Sequence, residues 1–126
     1  MALTVRFHEL GGPEVLTTED LPVPSPGPGE VLVRVAAIGL NRAEVNFRRG
    51  RYIDKPRALP SLIGYEAAGE VAATGPGVPG LAAGEPVSVI PAFSMRDYGV
   101  YGEYAIVPAT AVETDTQVGK VLVTVP

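Results

Sequence analysis

The sequence of 126 residues contains no cysteine and no tryptophan, and its single histidine is His8. Without cysteine the chain can form neither a disulfide nor a thiolate zinc cluster, and it has no cysteine nucleophile. One histidine leaves aspartate and glutamate as almost the only possible metal ligands, so no metal site is expected. A lone histidine on a strand is expected to be a surface residue and not a catalytic base. The neighbouring carboxylate of Glu9 would point to the opposite face of the strand and so could not orient His8.

Excess positive charge and long apolar runs are also absent. Ten lysine and arginine residues against 14 aspartate and glutamate residues give a net charge of −4, so nucleic acid is not an expected partner. No apolar run approaches the roughly 20 residues that span a bilayer, and Arg6 and Glu9 stand where a signal peptide would be apolar. We therefore expect a cytoplasmic protein with no membrane partner.

Glycine and proline are abundant, with 15 and 13 residues respectively. Both weaken helices, so their content argues against a helical bundle and favours a turn-rich, mainly β fold. Residues 22–29 and 75–80 predict ordered surface turns rather than linkers, and a single domain over residues 1–126 is expected. Apolar or alternating runs bounded by glycine and proline predict strands at Leu3–Phe7, Val31–Ile38, Glu70–Ala73, Pro86–Ile90, Tyr104–Val107 and Val121–Val125.

One segment, at about residues 42–49, predicts a short α-helix. Asn41 and Glu44 have the spacing of a capping box, and Gly50 provides a C-terminal stop. A helix of about two turns persists only when it packs on other elements. The apolar side chains available for that packing are Ala43, Phe47 and Val45.

The spacing Gly75-x-Gly77-x-x-Gly80 formally matches the dinucleotide-binding fingerprint. That fingerprint requires a strand before it, a helix after it, and free N–H groups at the helix start. Pro76 and Pro79 remove two such donors, and the sequence that follows predicts another strand. We therefore interpret this segment as an ordinary turn.

Three further motifs occur in order along the chain: Gly11-Gly-Pro-Glu-Val-Leu16, Asn41-x-x-Glu44-x-x-x-Arg48-x-Gly50-x-Tyr52, and Gly64-Tyr-Glu-Ala-Ala-Gly69-Glu-Val71. Together they resemble the amino-terminal catalytic domain of the medium-chain dehydrogenase/reductase superfamily. More narrowly, they resemble its zinc-independent quinone oxidoreductase branch. The resemblance extends from residue 1 to about 110 and implies a GroES-like β-barrel with the one short helix.

The resemblance also implies the chemistry of the site. Zinc-dependent alcohol dehydrogenases have cysteine at the position of Asn41 and histidine at that of Tyr65, and both are replaced here. The zinc-independent branch binds NADPH against the barrel and passes a hydride to quinones or other activated carbonyl and enone compounds. By this resemblance Asn41 and Tyr52 are the predicted catalytic residues, and Asn41 also lies near the cofactor.

Each predicted site residue also has a purely structural interpretation. Asn41 can act only as a helix N-cap, and Tyr52 can pack its ring while its hydroxyl stays in water. Arg48 is a further cofactor-binding candidate that would meet a phosphate, but an arginine at the end of a short helix also interacts with the helix dipole.

The Rossmann domain that follows the barrel in this superfamily has no counterpart in the sequence, which shows no βαβ pattern. Residues 1–112 match the amino-terminal catalytic domain and residues 117–126 match the closing carboxy-terminal strand, which places a junction near residues 112–116. We therefore expect a barrel without its nucleotide-binding domain, which does not bind NADPH tightly and is inactive alone.

An uncovered domain interface predicts a homodimer through that face. Two other interpretations stay open. The chain can be a non-enzymatic GroES-like barrel that serves as a binding, assembly or engineered scaffold module, or it can be half of a split enzyme whose Rossmann domain is a separate chain.

Overall fold

The computed structural model describes residues 1–114 and the backbone of Leu122–Thr124. These residues form mainly strands with one α-helix, which confirms the predicted fold class. The elements are β1 (Ala2–Phe7), β2 (Leu16–Leu21), β3 (Glu30–Gly39), α1 (Arg42–Arg48), β4 (Ser61–Leu62), β5 (Glu66–Thr74), β6 (Pro86–Val89), β7 (Tyr104–Pro108), β8 (Val112–Glu113) and β9 (Leu122–Thr124), with 3-10 turns at Pro13–Val15 and Ala109–Ala111.

The central strand of the larger sheet is β3, which pairs along its length with β5. It also pairs with β7 over Glu30–Arg34 and with β9 over Ala37–Gly39. Strands β6 and β8 continue the sheet beyond β5, and a separate three-stranded sheet has the order β2-β1-β4. Backbone hydrogen bonds join the two sheets, because Val5 donates to the Tyr101 carbonyl and Glu103 donates to that of Leu3.

Two apolar clusters fill the interior. Alternate residues of the larger sheet point inward and form the first core, which consists of Val31, Val33, Val35, Ala67, Val71, Val87, Val89, Val100, Ala105, Val107 and Ala111. The second core lies between the smaller sheet, α1 and the segment before β7, and consists of Phe7, Val15, Phe47, Ile63, Tyr65 and Met95. Tyr52, one of the two predicted catalytic residues, packs against the second core.

Helix α1 ends one residue before the predicted boundary. Phe47 is fully buried and packs edge-to-face on Phe7 with ring centroids 5.8 Å apart, and Ala43 also contacts the second core. Gly50 has φ of +72°, a left-handed conformation that glycine adopts without strain. Packing on the second core therefore stabilises a helix that is too short to persist alone.

The two glycine-rich turns lie against each other. Gly29 donates to the Pro76 carbonyl over 2.9 Å, and Gly75 donates to the Glu30 carbonyl over 2.8 Å. A side chain at Gly75 would collide with the Gly27 carbonyl oxygen. The 75–80 turn connects β5 to β6, so a strand and not a helix follows it, as predicted.

Candidate functional site

Asn41 lies where β3 ends and α1 begins. Its extended backbone, with φ −130° and ψ 150°, directs the chain into the helix. Its N–H donates to Oε2 of Glu44 over 2.6 Å, and its side chain accepts from the Glu44 N–H to complete the capping box. The capping role of Asn41 is therefore present in the structure, and its catalytic role stays a prediction.

Glu44 is a buried carboxyl next to Asn41, with 5% of its surface exposed. Its Oε2 accepts a second hydrogen bond, from the Tyr101 hydroxyl over 2.6 Å, whereas Oε1 is buried without a hydrogen-bond partner among the described residues. Burial raises the pKa of Glu44 and the nearby Glu66 carboxylate also raises it, while the bonds from Tyr101 and Asn41 oppose the shift. Glu44 thus links the helix start to Tyr101.

Tyr52 and Tyr65 meet at their hydroxyls. Tyr65 is buried, and its O–H donates to the Tyr52 oxygen over 3.2 Å. The two rings pack edge-to-face with centroids 6.2 Å apart. Burial raises the pKa of Tyr65, and the Tyr52 hydroxyl acts in the same direction, so Tyr65 stays protonated at neutral pH. Because the Tyr52 oxygen accepts this bond, its own hydrogen is directed elsewhere.

An aromatic row continues from this pair. Phe93 packs edge-to-face on Tyr65 at 5.6 Å, and Tyr98 packs on Phe93 at 5.8 Å. The sequence analysis named Tyr65 only as a replaced zinc ligand and missed Phe93 and Tyr101. Both missed residues lie in the irregular segment between β6 and β7, where no periodicity indicates which way a side chain points.

Arg48 lies at the C-terminal end of α1, at the opposite end of the helix from Asn41. Its side chain is buried, and its guanidinium donates to the Gly11 carbonyl over 3.1 Å. This bond attaches the end of α1 to the loop after β1. The predicted contact of Arg48 with a cofactor phosphate stays a prediction.

His8 lies on the exposed surface, as expected, beyond the end of β1. Its Nε2 is 2.9 Å from Oε2 of Glu19 on β2, and Arg6 and Thr17 also donate to that carboxylate. These hydrogen bonds, of which the Arg6 bond has the largest effect, lower the pKa of Glu19 to about 2. The partner of His8 was missed because β2 was not predicted as a strand.

Neither a cluster of metal-ligating side chains nor a membrane-spanning helix occurs in the part of the chain that the structure describes. Within it, no three histidine, aspartate or glutamate side chains lie close enough together to hold a metal ion. In the same residues, no helix has the length and apolar character needed to cross a bilayer.

Comparison with known proteins identifies relatives. The family description "Alcohol dehydrogenase GroES-like domain" matches residues 27–114. A quinone oxidoreductase of Pseudomonas aeruginosa is 42% identical over 103 residues, which cover 82% of this chain and 30% of the relative. Prostaglandin reductase-3 of Mus musculus is 38% identical over 108 residues, which cover 86% of this chain and 26% of the relative.

The fold also matches solved structures. Escherichia coli quinone oxidoreductase complexed with NADPH superposes with a TM-score of 0.77 and 32% identity, covering 90% of this chain and 33% of that chain. This chain therefore spans between about a quarter and a third of the length of the relatives that it matches.

Proposed function

The chain belongs to the alcohol dehydrogenase GroES-like domain family of the medium-chain dehydrogenase/reductase superfamily, and on this premise we propose that it is the substrate-side catalytic domain of a zinc-independent, NADPH-dependent quinone oxidoreductase. In the complete enzyme the substrate is a quinone or another activated carbonyl or enone compound. Asn41 and Tyr52 are the proposed catalytic residues, and Asn41 also contacts the cofactor.

The observation that favours this function most is the hydrogen bond from Tyr65 to Tyr52. Hydride transfer to a quinone or enone leaves negative charge on the carbonyl oxygen, which a fixed donor stabilises. The Tyr52 hydroxyl is such a donor, because its oxygen accepts from Tyr65 while its own hydrogen points elsewhere. Tyr65 is thus proposed to orient Tyr52.

The side chains around the site are consistent with a cleft that a second domain covers. Tyr65 and Phe93 give it an aromatic wall. Leu40 and Ile53, which adjoin Asn41 and Tyr52 in sequence, are 59% and 90% exposed. Two large aliphatic side chains exposed beside the site are consistent with a second domain that packs there in the complete enzyme.

NADPH would supply the hydride when bound. The described residues fit its nicotinamide end, because Asn41 offers an amide and Tyr52 a hydroxyl. They offer no glycine-rich turn and helix N-terminus to hold the pyrophosphate of the dinucleotide, since the 75–80 turn leads into β6 and two of its residues are prolines. We therefore propose that the chain alone binds NADPH too weakly for turnover.

The carboxy-terminal residues 117–126 are proposed to be the closing strand of the family. The pairing of β9 with Ala37–Gly39 supports this proposal. In the proposed junction at residues 112–116, Val112 and Glu113 belong to β8, and residues 115–121 lie outside the described part of the chain.

The experiment uses a two-domain protein, in which the nucleotide-binding segment of the Pseudomonas aeruginosa relative is inserted between Glu113 and Gln117. NADPH oxidation is measured with a small quinone. Tyr52→Phe removes the proposed donor and is expected to lower kcat about a hundredfold. Tyr104→Phe, on β7, serves as the control. Equal rates for the Tyr52→Phe variant and the unmodified protein would contradict the proposed role.

A further inference from the structure

Positive charge is concentrated in one short stretch of the chain. Residues 42–57 contain six of the ten basic residues and only two acidic ones, Glu44 and Asp54, although the whole chain has a net charge of −4. Glu44 is buried at the start of α1, where it accepts hydrogen bonds from the Asn41 N–H and the Tyr101 hydroxyl and forms no ion pair with the arginines of this stretch. The basic residues are Arg42, Arg48, Arg49, Arg51, Lys55 and Arg57.

Two of these arginines face one cleft at the C-terminal end of α1. The cleft has a volume of about 310 Å³ and is lined by Leu10, Gly11, Gly12, Arg49 and Arg51. Both arginines are exposed. The Asn41 end of the helix is about 10 Å away, at 1.5 Å of rise per residue.

A Schellman turn fixes the backbone of Arg49–Arg51, which forms one side of the cleft. Gly50 donates to the Phe47 carbonyl over 3.0 Å, and Arg51 donates to the Asn46 carbonyl over 2.8 Å. The positive φ of Gly50 completes the turn. Arg49 and Arg51 therefore flank a glycine whose conformation is set by hydrogen bonds.

The floor of the cleft, which we define as Gly11 and Gly12, is attached to the same end of α1. The Gly11 N–H donates to the Arg48 carbonyl over 3.0 Å, and the Arg48 guanidinium donates back to the Gly11 carbonyl over 3.1 Å. Together with the Schellman turn, these bonds satisfy the last carbonyls of α1. The partial negative charge at this helix end is thus reduced where an anion would approach.

Neither Arg49 nor Arg51 has an ion pair within residues 1–114, whereas Arg6, Arg34 and Arg57 each pair with a carboxylate. The acidic group nearest the floor is Glu14, whose Oε1 accepts from the Gly12 N–H over 3.2 Å. Glu9, exposed and next to Leu10, is the other acidic side chain near this loop in sequence. An arginine guanidinium binds phosphate by paired hydrogen bonds, and neither guanidinium is occupied by a carboxylate of the described residues.

We propose that this cleft binds the phosphate group of a small ligand, with Arg49 and Arg51 as the donors. The proposal goes beyond hydride transfer and does not depend on it, because it concerns the far end of α1 and is tested without turnover.

The test is a titration of the chain with sodium pyrophosphate, followed by NMR, against sodium chloride at equal ionic strength. Saturable shifts are expected at Gly11, Gly12 and the two arginine side chains. Arg49→Gln and Arg51→Gln are each expected to weaken binding about fivefold. Glu14→Gln, which removes the opposing charge but keeps an acceptor for Gly12, is expected to strengthen it.

The control is Arg96→Gln, which removes the same charge from a different cleft, lined in part by Arg57 and Asp97. Equal weakening by Arg96→Gln, or shifts that follow ionic strength alone, would overturn the proposal. NADPH and NADH distinguish the source of the phosphate. Chemical-shift changes with NADPH but not NADH indicate that the ligand is a cofactor 2′-phosphate. Changes with pyrophosphate but with neither nucleotide indicate another phosphorylated ligand. Both results support phosphate binding in the cleft.

Discussion

At the scale of single residues, Glu44 is a buried carboxyl whose pKa depends on its surroundings. Burial and Glu66 raise its pKa above the ordinary value of 4.5. A raised folded-state pKa gives stability that is complete below the unfolded pKa and is lost as pH rises through the folded pKa. Glu44→Gln keeps an acceptor for Asn41 and Tyr101 but does not titrate. The variant is therefore expected to gain stability relative to the natural chain as pH rises from 4 to 7.

Urea unfolding at a series of pH values measures this difference. The partly exposed Glu70, which pairs with Arg34, provides the matched variant Glu70→Gln. A difference between Glu44→Gln and the natural chain that is constant across this pH range would show that Glu44 titrates with its ordinary pKa.

The pKa of Glu19 is shifted in the opposite direction from that of Glu44, to a lower value. Its pKa of about 2 lies below the ordinary 4.5, so its stabilising interactions are present above the unfolded pKa and are lost as pH falls from about 4.5 to about 2. Arg6→Met removes the largest cause and is expected to move the pKa of Glu19 upward, with a smaller upward shift for Thr17→Val. Carboxyl NMR titration measures both. An unchanged pKa in Arg6→Met would contradict the assignment.

Hydrogen-bond partners could be predicted from the sequence only where the two residues are close together in the chain. The Asn41–Glu44 capping box spans three residues and was visible in the sequence, and the structure contains it. The bond from Tyr101 to Glu44 joins residues 57 positions apart, and no spacing rule indicates such a contact. Tyr65 and Tyr52, which lie on different loops of the predicted barrel, were likewise not predicted to share a hydrogen bond.

At the scale of elements, the end of α1 depends on Gly50. Alanine there would adopt φ near +72° and bring its Cβ within 2.8 Å of a Leu10 methyl carbon. Gly77 has a similar φ of +78° but open space around it, so Gly77→Ala measures the backbone strain alone. That strain is about 1–2 kcal/mol. Gly50→Ala is expected to cost more than Gly77→Ala in denaturant unfolding, and equal costs would show that Leu10 moves aside.

Strands with a clear apolar pattern were predicted near their observed positions, except that β5 begins at Glu66, four residues before the predicted start at Glu70. Strands without such a pattern were missed. Strand β3 has a continuous buried run, Val31–Val33, followed by buried Val35 between two exposed residues, and it extends one residue beyond the prediction at each end. Strand β2 was missed because Leu16–Leu21 is largely polar and pairs with β1 at the edge of its sheet. Strands β4 and β8 have two residues each, too few for any periodicity.

At the scale of the whole molecule, the exposed aliphatic side chains beside the site predict self-association. The chain is expected to form a concentration-dependent dimer, which the double variant Leu40→Ser, Ile53→Ser converts to a monomer. Leu3→Ser, at an exposed position on β1, is the control. Sedimentation velocity measures the distribution, and a monomer at every concentration would contradict the prediction.

The fold class and the family were accessible from the sequence because strand patterning, glycine turns and the helix motif all agree. The proposed function was less accessible, because the Tyr65–Tyr52 hydrogen bond that supports it is not indicated by any sequence pattern. The central proposal is that this chain supplies the substrate side of hydride transfer and does not itself supply the glycine-rich helix N-terminus that holds the pyrophosphate of NADPH.

Steady-state NADPH oxidation with a small quinone tests that proposal most directly, for the chain alone and for the two-domain protein described above. We expect no turnover above the buffer rate for the chain alone and clear turnover once the nucleotide-binding segment is present. Turnover by the chain alone that Asn41→Ala abolishes would contradict the proposal.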